Sequence, residues 1–248
     1  MQLYFYMLNY HEIFTLPGLI SLLTLTVLEV VLGIDNVIFI AIVATKLPKE
    51  DQGKARAIGL SLALIFRVSL LFSISWLMSL KEPLFHISEF GATGRDLILF
   101  GGGVFLLYKT TIEIFEKIYG GKEETKEHKA LTLKGAILQI VFIDVVFSFD
   151  SILTAVGLVT NVLLMVLAVV IAMIFMLITS AWVSEFINKH PTIKMLALTF
   201  LILIGFVLIL DSLHLHIDKG YVYVALGFSI MVEMLNMAYR SNAHRRTH

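Results

Sequence analysis

Two short segments carry acids at the same spacing. Glu29-Val-Val-Leu-Gly-Ile-Asp35-Asn36 and Asp144-Val-Val-Phe-Ser-Phe-Asp150-Ser151 each read acid, two valines, bulky, small, bulky, acid, small polar. Carboxylates, an amide oxygen and a hydroxyl are hard donors, suited to Mg²⁺, Mn²⁺ or Ca²⁺ rather than to soft metals. The chain has no cysteine, and no His falls within the apolar runs, which argues against a tight Zn²⁺ or Cu⁺ site. On a helix, residues seven apart share a face, so Glu29 goes with Asn36 and Asp144 with Ser151. Asp35 and Asp150, six residues on, point about 120° away on an ideal helix. They join the same site only where the helix unwinds, at Gly33 and at Ser148; otherwise they face another cavity.

These acids lie inside long apolar runs. Of the 248 residues 58% are hydrophobic and 15% charged, with a mean hydropathy of +0.89; a soluble domain carries about a quarter charged residues. Seven runs approach the ~20 apolar residues that a bilayer span needs: Leu16–Ala44, Ile58–Leu80, Leu97–Ile118, Leu131–Val159, Val162–Ile187, Met195–Leu213 and Tyr221–Tyr239. Continuous runs predict helices, since a barrel would show short alternating strands. Of the 19 Lys and Arg, 15 fall on one side of this topology and 3 on the other, with Arg67 inside the second span. The bias predicts an external N-terminus and a cytoplasmic C-terminus. No basic region precedes the first run, so no cleavable signal peptide is expected. Net charge is zero, and no nucleic-acid partner is expected.

The similarity of the two acidic segments extends further. Leu71–Trp76 (LFSISW) matches Leu177–Trp182 (LITSAW), and Gly103-Val-Phe-Leu-Leu resembles Gly205-Phe-Val-Leu-Ile. The expected architecture is therefore all-α, a polytopic membrane protein with about seven spans. Residues 1–118 form one three-helix repeat, 119–130 a cytoplasmic linker, 131–213 a second repeat, and 214–248 a seventh helix with a basic tail. Three spans per copy is odd, so the copies enter the membrane in opposite directions, as in transporters that bind substrate at the midplane.

A carboxylate at mid-bilayer costs roughly 2.5–3.5 kcal/mol on insertion scales. Glu29, Asp35, Asp144 and Asp150, with Glu233 in the seventh span, face two candidate counter-ions, Arg67 and Lys109. Pairing leaves three negative charges over, so the site must hold protons, a cation, or both. Arg67 is either a structural counter-ion or a gate that exchanges with a cation; Lys109 either takes part or snorkels to the cytoplasmic face. Glu233 and Asn236 share a helix face and either line the cavity or join helices. Other residues have plainer readings. Met165, Met173 and Met176 are packing or lipid-facing residues rather than copper ligands. Gly101-Gly102-Gly103 marks close helix packing. Trp76 and Trp182 are interfacial anchors. His214 and His216, at the end of the sixth span, are incidental rather than a metal gate.

At Leu28–Asn36 and Asp144–Ser151 the chain resembles the TerC family of membrane proteins, named for tellurium resistance. Lys46-Leu47-Pro48 and Gly227-Phe228-Ser229 through Glu233 add to the likeness, which covers nearly the whole chain. It looks closest to the branch whose members often carry cytoplasmic CBS and transporter-associated domains, neither of which follows His248, so regulation by them is not expected. The resemblance implies a LysE-like transporter fold and, from several members, manganese export. It also implies that Glu29, Asp35, Asn36, Asp144 and Asp150 are the functional positions. The expected activity is thus Mn²⁺ efflux across the bacterial inner membrane, by exchange for protons, with Ca²⁺ or Mg²⁺ as the alternative cation and no prosthetic group; a homo-oligomer is compatible with this. The rival readings are a passive channel, a membrane metallochaperone supplying exported proteins, and an intramembrane aspartyl protease. The protease reading lacks the glycine-rich motif of such enzymes, and no enzymatic activity is expected.

Overall fold

The structure, a computed structural model, describes residues 10–73, 83–87, 90–119, 131–159, 161–215 and 217–246. Trp76, His216 and most of the expected linker lie outside the described residues, as does the side chain of Asp150. Nine helices occur among the described residues: α1 (Tyr10–Ile13), α2 (Leu16–Leu32), α3 (Ile34–Thr45), α4 (Lys49–Phe72), α5 (Gly94–Tyr119), α6 (Leu133–Leu158), α7 (Val162–Lys189), α8 (Pro191–Ser212) and α9 (Lys219–Arg246). Between α4 and α5 lies an antiparallel hairpin, β1 (Pro83–Ile87) and β2 (Phe90–Thr93), pairing Ile87 with Phe90 and Pro83 with Thr93.

Five helices are long and apolar enough to cross a bilayer: α4, α5, α7, α8 and Gly220–Tyr239 within α9. The α2–α3 pair, bent by 43°, makes a sixth as one broken span. The remaining expected span is α6, a continuous helix of 26 residues, about 39 Å long at 1.5 Å per residue. The chain is thus a multi-pass membrane protein of the all-α class, the short hairpin apart, with large exposed apolar side chains such as Ile65, Phe66, Leu138, Ile178 and Val224.

Local chemistry sets the helix ends. Thr15 and Thr132 cap α2 and α6 by accepting from the amides of Gly18 (3.2 Å) and Gly135 (3.1 Å). Thr93 and Asp96 form a reciprocal box at the start of α5: Asp96 N–H donates to Thr93 Oγ1 (3.1 Å) and Thr93 N–H to Asp96 Oδ2 (2.9 Å). Pro48 separates α3 from α4 and Pro191 opens α8. At the far end of α8, His214 takes φ 62°. There the amide of His214 donates to Asp211 O (3.1 Å) and that of Leu215 to Leu210 O (2.9 Å). This is the reverse turn that usually ends in glycine, so His214 has a capping role.

The chain divides into two compact units. One comprises Met1–Ile98 and Glu127–Glu185, the other Leu99–Lys126 and Phe186–His248, so each draws on both halves of the sequence. In the first unit α4 packs most extensively on α6, and α3 touches both. The inward stripe of α4 runs Ala55, Gly59, Ala63, Arg67, Leu71, one residue per turn, while Ile58, Leu62, Ile65 and Phe66 face outward. Small residues on that stripe admit α6 closely: a Cβ on Gly59 would stand 2.8 Å from Ile140 Cγ2. In the second unit α5 and α8 run antiparallel. Gly103 lies against Gly205 and Ile209, Leu107 against Gly205, and Glu113 pairs with Lys194 at 3.7 Å. The close packing expected at the glycine triplet is thus seen at Gly103, whereas Gly101 faces open space.

Candidate functional site

The α4–α6 contact brings Arg67 to Asp144. Arg67 Nε donates to Asp144 Oδ2 at 2.9 Å and Nη2 to Oδ1 at 2.8 Å, a two-pronged pair. Its third nitrogen, Nη1, donates to Glu29 Oε2 at 2.9 Å. One guanidinium therefore bridges the two acids that open the matched segments. All three side chains are shielded, with Arg67 and Glu29 2% exposed and Asp144 1%. Such shielding makes charge-assisted bonds strong and any unpaired group costly.

Asn36 joins the cluster by donating from Nδ2 to Asp144 Oδ1 at 3.2 Å. Asp35 is buried beside it, close enough to Arg67 to interact electrostatically, and its Oδ1 accepts from the Asn36 amide at 3.1 Å. It sits in the first turn of α3, where the helix dipole favours a negative group. Ser151 stands beside the Glu29 carboxylate, its hydroxyl donated back to Ser148 O at 3.2 Å.

A helix break places Asp35 here. At Gly33 α2 stops and α3 starts with a 43° bend. Met176 Sδ and the Glu29 carbonyl oxygen would lie 2.6 and 2.9 Å from a Cβ at this position. Glycine therefore lets the kink close onto α7. The matching position in α6 is Ser148, and there the helix runs on, with Ser148 Oγ bonding Val145 O at 3.0 Å. Of the two breaks considered from sequence, one exists and the other does not.

Among the described residues two buried acceptors in the cluster find no hydrogen-bond partner, Glu29 Oε1 and Asn36 Oδ1, and Thr26 Oγ1, one turn before Glu29, finds none either. Among the described residues Glu29 is also the only polar one lining an apolar crevice between Leu25, Leu71, Ile152, Ala155 and Met165, which has no room for a water molecule. Water cannot satisfy Glu29 from that side. Among the described residues no three Asp, Glu or His side chains are gathered as a metal cage; Arg67 occupies the space between the carboxylates.

Glu29, Asp35, Asn36, Asp144 and Ser151 are thus brought together around Arg67, all within the first unit. Lys109, Glu233 and Asn236 belong to the second unit, where Glu233 Oε1 is buried with no partner among the described residues. The sequence reading passed over Glu113, buried in α5 and paired with Lys194, and Asp211, buried in α8. Their signal was the one used for the others, an acid within an apolar run. Met165, Met173 and Met176 are buried packing residues.

Comparison with known proteins agrees with this architecture. The model of the integral membrane protein TerC family matches residues 14–248. The UPF0053 inner membrane protein YoaE of Escherichia coli K12 is 48% identical over 228 residues, covering 90% of this chain and 43% of YoaE. A UPF0053 protein of Buchnera aphidicola from Schizaphis graminum is 49% identical over 223 residues, again covering 43% of its own length. The chain therefore spans less than half of these relatives. The UPF0053 inner membrane protein YgdQ of Escherichia coli K12 is 48% identical over 218 residues and is covered to 92%. No solved structure matches. With its family model matched over all but the first residues and its charged cluster enclosed by membrane-spanning helices, the chain belongs to the TerC family of integral membrane proteins.

Proposed function

We propose that this protein transports a divalent metal cation, with Mn²⁺ as substrate, out of the cytoplasm across the bacterial inner membrane in exchange for protons. The observation that carries the reading is the charge imbalance at the cluster. Glu29 and Asp144 share one cation, Arg67, with a third acid, Asp35, near enough to feel its charge, and buried oxygens stay unsatisfied among the described residues. A protein that needed only stability would gain by replacing such a group with apolar residues. The donors are carboxylate, amide and hydroxyl oxygens, the chemistry of Mn²⁺, Mg²⁺ and Ca²⁺. The break at Gly33 adds helix ends to the site, a feature of transporter ion sites. The excess of Lys and Arg in alternate loops supports a cytoplasmic C-terminus. The two sequence repeats support alternating access around a fixed site.

Mn²⁺ flux into proteoliposomes tests this, with wild type beside Asp35→Asn and Asp150→Asn and with Mg²⁺, Ca²⁺ and Zn²⁺ as competitors. Flux driven by an imposed pH gradient and lost in both variants is expected. Flux indifferent to the gradient removes the proton exchange. Binding without flux turns the reading to a metallochaperone, and neither binding nor flux removes the metal.

A further inference from the structure

Arg67 occupies the place a bound cation would need. Its three nitrogens take Asp144 Oδ1, Asp144 Oδ2 and Glu29 Oε2 at 2.8–2.9 Å, and Glu29 Oε1 and Asn36 Oδ1 are buried acceptors with no partner among the described residues. We infer that Arg67 is a tethered competitor for the transported cation and thereby sets its charge, excluding monovalent ions and admitting divalent ones. This rests on reading the cluster as a cation site.

The argument is one of exchange. A monovalent ion that displaces Arg67 leaves the cluster's charge unchanged. It must shed its water and break three charge-assisted hydrogen bonds with no electrostatic return. A divalent ion makes the same exchange and adds one positive charge to a cluster where negative charge is in excess. Charges interact far more strongly in such a shielded place than in water. The divalent ion also gains ligands that the guanidinium leaves unused, Glu29 Oε1 and Asn36 Oδ1, both hard oxygen acceptors. A planar guanidinium suits the part, because it stays charged at every physiological pH and its fork matches a carboxylate edge. The second half of the sequence has no equivalent. Four residues before the matched Leu71 and Leu177 stand Arg67 and Met173, and Met173 is buried and cannot compete. A single competitor thus serves both acids.

The test is Mn²⁺ binding to the full chain in lipid nanodiscs, for wild type, Arg67→Gln and Arg67→Lys. Sodium chloride is compared with choline chloride at equal ionic strength, so that screening is held constant. Wild type is expected to bind Mn²⁺ equally in both salts. Arg67→Gln is expected to bind Mn²⁺ at least about tenfold more tightly and to lose that gain in sodium chloride. Arg67→Lys keeps the buried charge but not the fork; it is expected to fall between the two, and it decides the matter where Arg67→Gln does not fold. Variants that bind Mn²⁺ no more tightly than wild type, with the same indifference to sodium, overturn the inference while leaving the cation site standing. Wild type that binds no divalent cation overturns the site and the inference together.

Discussion

Arg67 meets Asp144 with two nitrogens and Glu29 with one, so the two acids that open the matched segments are held unequally. Replacement of Asp144 by Asn should therefore cost more than replacement of Glu29 by Gln. Breaking a buried pair by removing one partner costs about 3–5 kcal/mol, and Asp144→Asn is expected to approach that. Glu29→Gln loses one charge-assisted bond and the unsatisfied Oε1 charge together, and is expected to cost less than half as much. Thermal unfolding in detergent reads the order of the two; a reversed order would place the weight of the cluster on Glu29.

Gly33 is where the first span bends. The substitution Gly33→Ala puts a methyl 2.6 Å from Met176 Sδ and 2.9 Å from the Glu29 carbonyl. The thioether can swing aside, whereas the backbone oxygen cannot without changing the kink. Gly33→Ala is expected to lower stability by about 1–3 kcal/mol and to reduce Mn²⁺ binding. The double variant with Met176→Ala is expected to recover little of either.

Gly59 holds α4 against α6 and so holds Arg67 within reach of Asp144. A Cβ there stands 2.8 Å from Ile140 Cγ2 and 3.2 Å from its Cβ. Gly59→Ala should destabilise by about 1–3 kcal/mol through overpacking, with partial recovery on Ile140→Ala. Gly53, on the same helix and with nothing within 4 Å, is the control: Gly53→Ala should stabilise by up to about 1 kcal/mol.

In the second unit Gly103 and Gly101 separate in the same way. A Cβ on Gly103 lies 2.8 Å from Gly205 O, and one on Gly101 meets nothing within 4 Å. Gly103→Ala is expected to lower the unfolding temperature, and Gly101→Ala to leave it unchanged or raise it. Equal effects would mean that α5 and α8 do not approach through Gly103.

His214 has φ 62° at the end of α8, a conformation that costs a non-glycine residue roughly 1–2 kcal/mol. His214→Gly is therefore expected to stabilise by up to about 1 kcal/mol, after the greater freedom of glycine in the unfolded chain is allowed for. A loss of stability would mean that the imidazole makes contacts worth more than the strain.

Membrane helices and their buried acids were legible in the sequence because hydropathy is a local property: a run such as Val162–Ile187 leaves hydrocarbon few alternatives to helix. The hairpin of β1 and β2 was not, since pieces of five and four residues holding Pro and Gly carry little periodicity. Its pairing depends on two segments meeting. The matched segments around Glu29 and Asp144 were legible as a pair of acids with two candidate counter-ions, Arg67 and Lys109. Which cation served them was not, because Arg67 lies 38 residues from Glu29 and 77 from Asp144, and only the packing of α4 on α6 brings them together.

The sequence by itself determined that charge would be buried in the membrane and that it would be mostly negative. Tertiary structure decided that one guanidinium bridges both acids, and that the first matched segment breaks while the second does not. The reason is steric and electrostatic. Gly33, lacking a side chain, bends under the approach of Met176, whereas Ser148 returns its hydroxyl to the Val145 carbonyl and stays helical. Arg67, carried inward on a stripe of small residues, goes to the strongest acceptors within its reach.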